Sequence, residues 1–425
     1  MSATGRAAIR SPQFDYRGGV LYTESLSLDQ LAQRFGTPLY VYSKAAFIDA
    51  WRRFNQAFDG HGQRVCYAVK ANSNLAILKL LANLGAGFDI VSVGELERVL
   101  RAGGDPAAIV FSGVGKREDE MRRALEVGIL CFNVESEAEL LRLSALAHSQ
   151  GRSAAIAIRI NPHVETDTHP HIATGHRDAK FGIDIQRAET LYGQAASLPG
   201  IRIIGIACHI GSQITQPAPF MTAVSHIMTL VERLLENGIA LQHVDLGGGF
   251  GVHYHDEPQL DISALIGCMR QAVEKHGLKL LLEPGRVLVA KAGVLLTRVE
   301  YLKTTDQGRF VIVDAGMTEL IRPPLYDAWH EIRAVELRPG MPFELHDVVG
   351  PVCESADTLG RDRRLAVQAG DLLAIMDAGA YGFSMSSNYN SRPRAAEVLV
   401  DSEHATLIRR REVLEELMMQ EELPD

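Results

Sequence analysis

Apolar and polar positions along the chain repeat in an order of short strand and amphipathic helix. Eight brief apolar runs are each followed by a segment whose apolar positions recur every three or four residues, as in a helix. Glycine closes many of the helical segments, which is typical of a helix C-terminus. The eight runs begin near Val65, Phe88, Ala108, Leu130, Ala155, Ile203, Gln242 and Lys279.

Strands that alternate with helices predict right-handed crossovers and a parallel sheet. Eight such units over about 250 residues match a closed (β/α)8 barrel of the TIM type in number and size, and we place this barrel at residues 44–290. The alternative is an open, doubly wound sheet, which favours a single ligand crevice. A polar or charged residue follows nearly every strand here, and this favours the barrel.

The pattern changes after residue 290. Strand-like runs separated by turns continue to about residue 401, with almost no helix before a helical C-terminal segment. We therefore predict a mostly antiparallel β domain over residues 291–425. Residues 20–43 suggest a short strand, a helix over Leu28–Phe35 and the strand PLYVYS, and we expect the N-terminal segment 1–43 to contribute to that domain. The long polar stretch 161–182 predicts a mobile loop at the barrel's C-terminal face.

Composition narrows the class of protein. With 425 residues, 46% apolar and 22% charged, the chain is an ordinary globular protein large enough for more than one domain. The formal net charge of −9 argues against a general nucleic-acid binder. No apolar stretch approaches the ~20 residues needed to cross a bilayer, and the first residues lack the apolar core of a secretory signal. Five dispersed cysteines without a CxxC pair suggest free thiols in a reducing compartment. We expect a cytoplasmic protein that binds neither nucleic acid nor membrane.

Three polar features follow strands of the predicted barrel. Lys70 comes directly after VCYAV, where a shielded lysine can form a Schiff base with an aldehyde, although a surface lysine is the simpler alternative. The glycines of HIGSQ and DLGGGFG, with the Ser212 hydroxyl, can hold a phosphate, unless they only form tight turns. In EPGR, Glu283 can pair with a protonated ring nitrogen and Arg286 with a substrate carboxylate; a Glu–Arg ion pair is the alternative.

A Schiff-base lysine, a phosphate site and a carboxylate for a pyridinium together describe a pyridoxal phosphate site. None of the three is specific alone, but the ordered set is. A metal site is not expected, because the candidate histidines have irregular loop spacing and no thiolate beside them. These histidines are His163, His169, His171 and His176.

The motif series as a whole resembles that of the bacterial diaminopimelate decarboxylases, which belong to the barrel-type (fold type III) pyridoxal phosphate enzymes. The motifs that carry the resemblance are VCYAVKANSN, GAGFDIVSVGEL, HIGSQ, DLGGGFG, EPGR, IRPPLY, GPVCESAD and GAYGFSMSSNYN. The resemblance runs from about residue 14 to residue 412, with every motif in order. The lysine and HIGSQ motifs occur throughout the superfamily, whereas RPPLY with CES is more selective.

The resemblance assigns the cofactor contacts. It implies that Lys70 carries pyridoxal phosphate covalently, that His209 stacks on its ring and that Glu283 pairs with the pyridine nitrogen. The remaining implied contacts, to the phosphate or near the ring, are Ser212, Gly249, Gly285, Arg286, Tyr381, Asp89 and Arg159.

The resemblance also assigns the substrate contacts and the proton donor. The substrate carboxylate would be held by Arg286, Arg322 and Tyr326, and the distal amine by Glu354; Tyr381 is also implied as a substrate contact. Cys353 is implied as the proton donor, reaching the site from the opposite subunit of a head-to-tail homodimer.

Without the resemblance, simpler interpretations remain for four of these residues. Cys353 could be a buried packing residue, and Tyr381 could pack in the core. Arg322 and Tyr326 could form a surface pair on a helix, which the intervening prolines make less favourable.

The implied function is the pyridoxal phosphate-dependent decarboxylation of meso-2,6-diaminopimelate to L-lysine and CO2, the last step of lysine biosynthesis. The main alternative is a decarboxylase of ornithine, lysine or arginine on the same fold. A racemase is less favoured, because it needs proton donors on both faces of the ring. A non-catalytic carrier or pseudoenzyme is disfavoured because Lys70 and Cys353 are both present.

Overall fold

The computed structural model describes residues 13–58, 63–165, 180–306 and 308–424. The chain divides into two compact units, one from Trp51 to Val287 and the other formed by the residues up to Ala50 together with those from Leu288 onward. Most of the predicted loop 161–182 lies outside the described residues. Within the described residues, no helix has the length and apolar character to cross a membrane.

The elements before the barrel are three short strands, a helix, a buried strand and a longer helix. They are β1 (Phe14–Arg17), β2 (Val20–Thr23), β3 (Leu26–Ser27), α1 (Leu28–Phe35), β4 (Leu39–Ser43) and α2 (Lys44–Gln56).

The barrel strands and helices then alternate along the chain. They are β5 (Arg64–Ala68), α3 (Leu75–Asn83), β6 (Gly87–Ile90), α4 (Val93–Arg101), β7 (Ile109–Phe111), α5 (Glu118–Val127), β8 (Cys131–Val134), α6 (Glu137–Ser149), β9 (Ala154–Asn161), β10 (Ile183–Asp184), α7 (Ala188–Ser197), β11 (Ile201–Cys208), α8 (Pro217–Glu236), β12 (His243–Asp245), α9 (Ile262–Glu274), β13 (Lys279–Leu282) and α10 (Arg286–Val289).

Eight of these strands close into a cylinder. They pair in parallel in the order β5, β6, β7, β8, β9, β11, β12 and β13, and β13 pairs again with β5. The short strand β10 pairs in parallel with the last two residues of β9, at its carboxyl end. The predicted barrel is therefore confirmed, and the alternative prediction of an open, doubly wound sheet is wrong. Each barrel strand starts within two residues of its predicted position.

Local sequence explains where the barrel helices begin. Four of them have a cap residue whose side-chain oxygen accepts a backbone N–H of the first turn, which satisfies a donor that the helix itself leaves unpaired. These caps are Asn74, Ser92, Ser136 and Asp261. The barrel strands are buried on both faces, as expected for a parallel sheet covered by helices.

Small side chains fill part of the barrel interior. Ala155 and Ala157 lie on the same face of β9 as Arg159, and they pack with Cys131 and Ala207 of neighbouring strands. Polar side chains take over toward the carboxyl ends of the strands, where Arg159 and Asp245 stand on either side of Ala207 in the register. This is the end at which barrel enzymes place their reactive residues.

The other unit is built on a nine-stranded sheet. A short three-stranded sheet, in the order β1, β2 and β3, is formed by its N-terminal residues. Its remaining elements are β14 (Gly293–Thr305), β15 (Gly308–Val313), α11 (Arg322–Tyr326), β16 (Ile332–Ala334), β17 (Glu344–Val349), β18 (Thr358–Leu365), β19 (Leu372–Ile375), β20 (Ala396–Asp401), β21 (His404–Arg409) and α12 (Leu414–Met418).

Most pairings in this unit are antiparallel; β15–β17 and β4–β20 are parallel. Strand β4 lies between β14 and β20. A strand that precedes the barrel in sequence thus belongs to a sheet whose other strands all follow the barrel in sequence. Leu39 and Val41 of β4 pack with Val294, Leu296 and Val398 in the core of this unit. The predicted C-terminal helical segment is a helix of only five residues.

Candidate active site

Lys70 stands at the carboxyl end of the first barrel strand. It lies in a 3₁₀ turn (Val69–Ala71) that follows β5, and its Nζ donates to Oδ2 of Asp89 at 2.8 Å. The lysine side chain is 38% exposed whereas that of Asp89 is fully buried, so a buried carboxylate holds an accessible amine. Burial also raises the pKa of the nearby Glu95 to about 7.

Glu283 follows β13 and lies in a buried polar cluster. Its Oε1 accepts from Oγ of Ser112 at 3.4 Å and from Nδ2 of Asn133 at 3.3 Å. Burial and the neighbouring Asp245 carboxyl hold the pKa of Glu283 well above its usual range. A cation placed against this carboxyl would reverse that shift, because an opposite charge favours the ionised form.

Arg159 is anchored by a carboxylate that the sequence did not reveal. Its Nη1 donates to Oε1 of Glu135 at 2.8 Å. Glu135 also accepts the backbone N–H groups of Gly113 and Gly182, at 2.9 and 3.1 Å. The Glu135 side chain thereby joins residues near the end of β7, near the end of β9 and just before β10. The guanidinium of Arg159 lies 5.1 Å from the ring centroid of Phe181.

The glycine turn after β12 brings backbone very close to backbone. A Cβ on Gly248 would lie 2.1 Å from the carbonyl oxygen of Glu283, and one on Gly249 would lie 2.4 Å from that of Gly211. Gly249 also has a φ of +95°, which side-chain-bearing residues rarely adopt. Only glycine fits at these two positions, and glycine turns of this kind let the backbone approach a phosphate group closely.

His209, at the end of the sixth strand, is fixed by the same turn. Its Nδ1 accepts the backbone N–H of Gly248 at 3.2 Å, which leaves the ring proton on Nε2. Burial, with the charges of Arg159 and Lys70, holds the pKa of His209 well below its usual range. The ring is therefore a neutral flat surface at physiological pH.

Arg286 links the sixth and eighth strand ends. It is buried, and its two terminal nitrogens donate to Oγ of Ser212 and to the hydroxyl of Tyr254, both at 3.1 Å. Gly285, one residue earlier, is buried in the same turn. A guanidinium and a hydroxyl beside a glycine turn form a site for an oxyanion.

These residues fit pyridoxal phosphate. The glycine turns bring backbone segments close together, an arginine and a serine lie beside them, and an amine and a buried carboxyl lie at neighbouring strand ends. Three buried acceptor atoms in this cluster have no hydrogen-bond donor among the described residues, as expected where a ligand supplies donors. They are Oδ1 of Asp89, Oδ1 of Asn133 and Oδ2 of Asp245.

The five cysteines separate into two classes. Cys66, Cys131 and Cys208 are buried, and burial raises the pKa of each thiol, in Cys208 to about 12. Cys268 and Cys353 are exposed. In the described chain Cys353 is thus not a buried packing residue, and it is accessible for proton transfer.

Cys353 and Glu354 lie on a turn after β17 that a buried carboxylate holds in place. Asp357 accepts the backbone N–H of Val352 at 2.7 Å and that of Met317 at 2.6 Å. A Cβ on Gly350 would lie 2.3 Å from the Asp357 carboxylate, so the backbone packs directly on it. These bonds to Asp357 fix the backbone on either side of the turn, whereas the side chains of Cys353 and Glu354 are exposed.

A second segment contacts both side chains. Oη of Tyr389 donates to Oε1 of Glu354 at 2.6 Å, and Nδ2 of Asn390 donates to Sγ of Cys353 at 3.5 Å. Asn390 has a left-handed backbone with φ of +57°. These contacts were not predicted, although SNYN belongs to one of the family-like motifs.

Arg322 and Tyr326 are the first and last residues of α11. The prolines do not prevent this helix, since they occupy its first turn, where a missing N–H costs nothing. The interpretation of Arg322 and Tyr326 as a surface pair is wrong for Arg322, because this residue is only 5% exposed. Its Nη1 lies 2.7 Å from Nε2 of His330. His330 donates from Nδ1 to the carbonyl of Met376 at 2.7 Å, so its Nε2 accepts from the arginine.

Tyr381 lies in the loop after β19 and is half-buried, with a left-handed φ of +55°. Like Arg322, Tyr326, Cys353 and Glu354, it belongs to the unit that lacks the barrel. The structure thus gathers nine predicted residues at the barrel strand ends and carries the other five on the second unit. The nine are Lys70, Asp89, Arg159, His209, Ser212, Gly249, Glu283, Gly285 and Arg286.

Of the four candidate histidines, only His163 falls within the described residues, where its Nε2 lies 3.2 Å from Asp184. His169, His171 and His176 lie outside them. Among the described residues, no three possible metal ligands form a group.

Comparison with known proteins agrees with the site. Residues 44–290 match the family model described as "Pyridoxal-dependent decarboxylase, pyridoxal binding domain". The chain is similar to the diaminopimelate decarboxylase of Pseudomonas aeruginosa, with 54% identity over 96% of this chain and 99% of the relative. It is 52% identical to the enzyme of the same name from Vibrio cholerae, over 95% of this chain and 97% of the relative.

A solved structure has the same fold. The diaminopimelate decarboxylase of Helicobacter pylori complexed with L-lysine superposes with a TM-score of 0.89 at 42% identity. The match covers 92% of this chain and 98% of that chain. Both units of the present structure therefore have counterparts in one known enzyme.

Proposed function

The chain belongs to the diaminopimelate decarboxylases within the pyridoxal-dependent decarboxylases, and from this membership we propose how its residues carry out the reaction. The reaction is the decarboxylation of meso-2,6-diaminopimelate to L-lysine and CO2, the last step of lysine biosynthesis. The cofactor is pyridoxal phosphate.

The observation that carries the proposal is the placement of one accessible amine over a buried acidic cluster. Nζ of Lys70 is held by Asp89 at 2.8 Å, and Glu283 lies in the same barrel end with its pKa raised by burial. An amine that forms a Schiff base and a carboxyl that faces a ring nitrogen are the two groups that pyridoxal chemistry requires of a protein.

The barrel residues bind and orient. When bound, pyridoxal phosphate supplies an aldehyde for amines and a ring that accepts the electron pair left by the departing carboxylate. Ser212, Arg286 and Gly249 would hold the phosphate, and the neutral ring of His209 would lie against the cofactor ring. Glu283 would hold the proton of the ring nitrogen through a hydrogen-bonded ion pair.

The β unit supplies substrate contacts and the proton. The substrate carries two carboxylates and two ammonium groups, and we assign Arg286, Arg322, Tyr326 and Tyr381 to carboxylate and Glu354 to the distal ammonium. As the C–C bond to the carboxylate breaks, CO2 leaves, and the Cys353 thiol transfers its proton to the same carbon. The resulting thiolate regains a proton from solvent.

The active enzyme is proposed to be a head-to-tail homodimer in which Cys353 and Glu354 serve the site of the opposite subunit. The support is the family resemblance of CES, together with the exposure of both side chains on the described chain. Within the described part of the chain, the side chains of Cys353 and Glu354 are hydrogen-bonded only by Asn390 and Tyr389. An exposed thiol and acid of this kind suit groups that act on another surface.

The test is release of CO2 from two substrates by the purified protein loaded with pyridoxal phosphate. We expect turnover of meso-diaminopimelate with lysine as product, and at most a trace with ornithine, because the second carboxylate would be missing. Faster turnover of ornithine would contradict the assignment and favour a decarboxylase of other basic amino acids.

A further inference from the structure

Asp245 is a buried carboxyl beside Glu283 to which no role has yet been given. It is the last residue of β12 and is 1% exposed. Its Oδ1 accepts the backbone N–H of Gly247 at 2.8 Å. Its Oδ2 is also buried and has no hydrogen-bond donor among the described residues. One half of the carboxyl is thus satisfied and the other half lacks a donor.

The Asp245 carboxyl lies within hydrogen-bonding reach of the Glu283 carboxyl. The backbone holds the two residues together, because the N–H of Glu283 donates to the carbonyl of Gly247 at 2.7 Å. Two ionised carboxylates cannot share such a site, because neither has a donor to offer the other and their charges repel. Burial raises the pKa of Asp245 to about 6 and holds that of Glu283 well above its usual range, so without a facing cation the shared proton lies on Glu283. The pair therefore keeps one proton, and its two ionisation steps belong to both groups together.

The surrounding donors decide which group keeps the proton once a cation faces Glu283. Ser112 and Asn133 both donate to Oε1 of Glu283, and Lys70 favours the charged form of Glu283. The Asn133 amide also lies near Asp245, so the donors that Glu283 has in addition are Ser112 and the facing cation. Hydrogen bonds to the ionised form stabilise it. On Asp245, the only atom without a donor is Oδ2, and a proton placed there would point at a hydrogen-bond acceptor.

We propose that Asp245 is a positioning residue that stays protonated on Oδ2 and donates a hydrogen bond to the Glu283 carboxylate. Glu283 then carries one negative charge, is fixed by donors from Ser112, Asn133 and Asp245, and presents its remaining acceptor to the ring nitrogen of the cofactor. This inference rests on the proposed function, since it assumes that Glu283 faces that nitrogen.

Two substitutions separate this role from the alternatives. Asp245→Asn keeps an acceptor for Gly247 and places an amide donor where the acid proton would be, so we expect cofactor binding within a few-fold of the wild type. Asp245→Ala removes the donor, and we expect cofactor retention to weaken about 10- to 100-fold, as for other groups that orient a ligand-binding residue. Asp261→Ala, which removes a helix cap in the same unit, is the matched control for a loss of stability alone.

A spectroscopic readout does not depend on activity. In the full-length protein loaded with pyridoxal phosphate, the infrared difference between wild type and Asp245→Asn should show a protonated carboxylic acid band in the wild type only. Circular dichroism and thermal unfolding of each variant establish that it is folded.

The inference is overturned if Asp245→Asn loses the cofactor as strongly as Asp245→Ala, since an ionised aspartate would then be needed. It is also overturned if the acid band persists in Asp245→Asn. The proposed function fails by a different result: Lys70→Ala would keep the visible absorbance of the bound cofactor. Loss of that absorbance in Lys70→Ala, together with wild-type behaviour of both Asp245 variants, would sink this inference alone.

Discussion

The barrel strand ends and the Cys353–Glu354 turn hold their reactive groups in opposite ways. At the barrel end the carboxyls of Asp89, Asp245 and Glu283 are buried, and their partners come from strands far apart in sequence. On the turn the thiol and the acid are exposed, and only its base is buried. Burial perturbs ionisation and fixes geometry, which suits cofactor binding. Exposure leaves groups free to meet a substrate.

The largest expected effect lies at the barrel end. Lys70→Ala should abolish the visible absorbance of bound pyridoxal phosphate and lower decarboxylation by several orders of magnitude, because no other amine would replace it. Absorbance spectroscopy and a CO2 assay measure both. Lys79→Ala, at an exposed position on α3, is the matched control and should behave like the wild type. Retained absorbance in Lys70→Ala would show that another lysine binds the cofactor.

The next effect separates the two regions. Cys353→Ala should slow turnover by about 10²- to 10⁴-fold, the usual contribution of a positioned proton donor, while leaving the cofactor absorbance intact. Cys268→Ala removes the other exposed thiol and should leave the kinetics unchanged. Equal kinetics for Cys353→Ala and the wild type would remove this thiol from the mechanism.

A stability measurement sharpens the contrast between burial and exposure. The buried Lys116 Nζ donates to Glu139 at 2.7 Å and to the carbonyls of Gly113 and Asn133. Lys116→Met should lower the free energy of unfolding by about 3–5 kcal/mol, because it leaves the buried Glu139 charge unpaired. Arg117→Met, which breaks an exposed pair with Asp119, should leave the free energy of unfolding nearly unchanged, because solvent screens exposed ion pairs. Denaturant titration that gave equal losses would contradict the contrast.

Mixing two inactive variants tests whether the exposed turn serves another subunit. Lys70→Ala and Cys353→Ala, combined under conditions that allow subunit exchange, should regain part of the wild-type activity, since a mixed dimer would contain one intact site. Subunit exchange is verified with differently tagged chains. Exchange without recovery would show that Cys353 acts within its own subunit.

The smallest effect concerns the contact between Asn390 and the thiol. Asn390→Gly removes the amide donor but suits the left-handed backbone, so it isolates the hydrogen bond. Loss of a bond that stabilises the thiolate should slow alkylation of Cys353 by about 2- to 10-fold. Cys268 in the same sample serves as the internal standard, because it is exposed and distant in sequence. An unchanged ratio of the two alkylation rates would show that the contact does not affect the thiol.

Sequence patterns predicted the barrel well because each strand and its helix have distinct periods and each pair is local in the chain. Helix α1 has the bounds predicted for it. The strand-like runs found after residue 290 did not include β16, β18 and β21. Strand β16 has only three residues, TLGRDRRL of β18 carries four charged residues, and none of the residues of HATLIR in β21 is buried.

The same limit applies to the site. Lys70, Glu283 and Arg286 were predicted because they end strands within motifs that are specific as a set. Asn133 and Glu135 also lie at or next to the end of a strand, but no motif distinguishes them. Asp245 opens the motif DLGGGFG, yet only the glycines of that motif suggested a role. Their roles arise only when the barrel closes and brings together residues 150 positions apart, as in the contact of Asn133 with Glu283.

The position of β4 between β14 and β20 has a consequence for synthesis on the ribosome. Tyr42 pairs with Gly293 and Leu39 with Ala396, so β4 emerges about 250 residues before its first partner strand. At typical elongation rates it waits for roughly 10–50 s. Throughout that interval the apolar segment LYVYS has two unpaired edges, which are the usual starting points of aggregation. A nascent chain stalled within the barrel should therefore depend on a chaperone that covers these five residues.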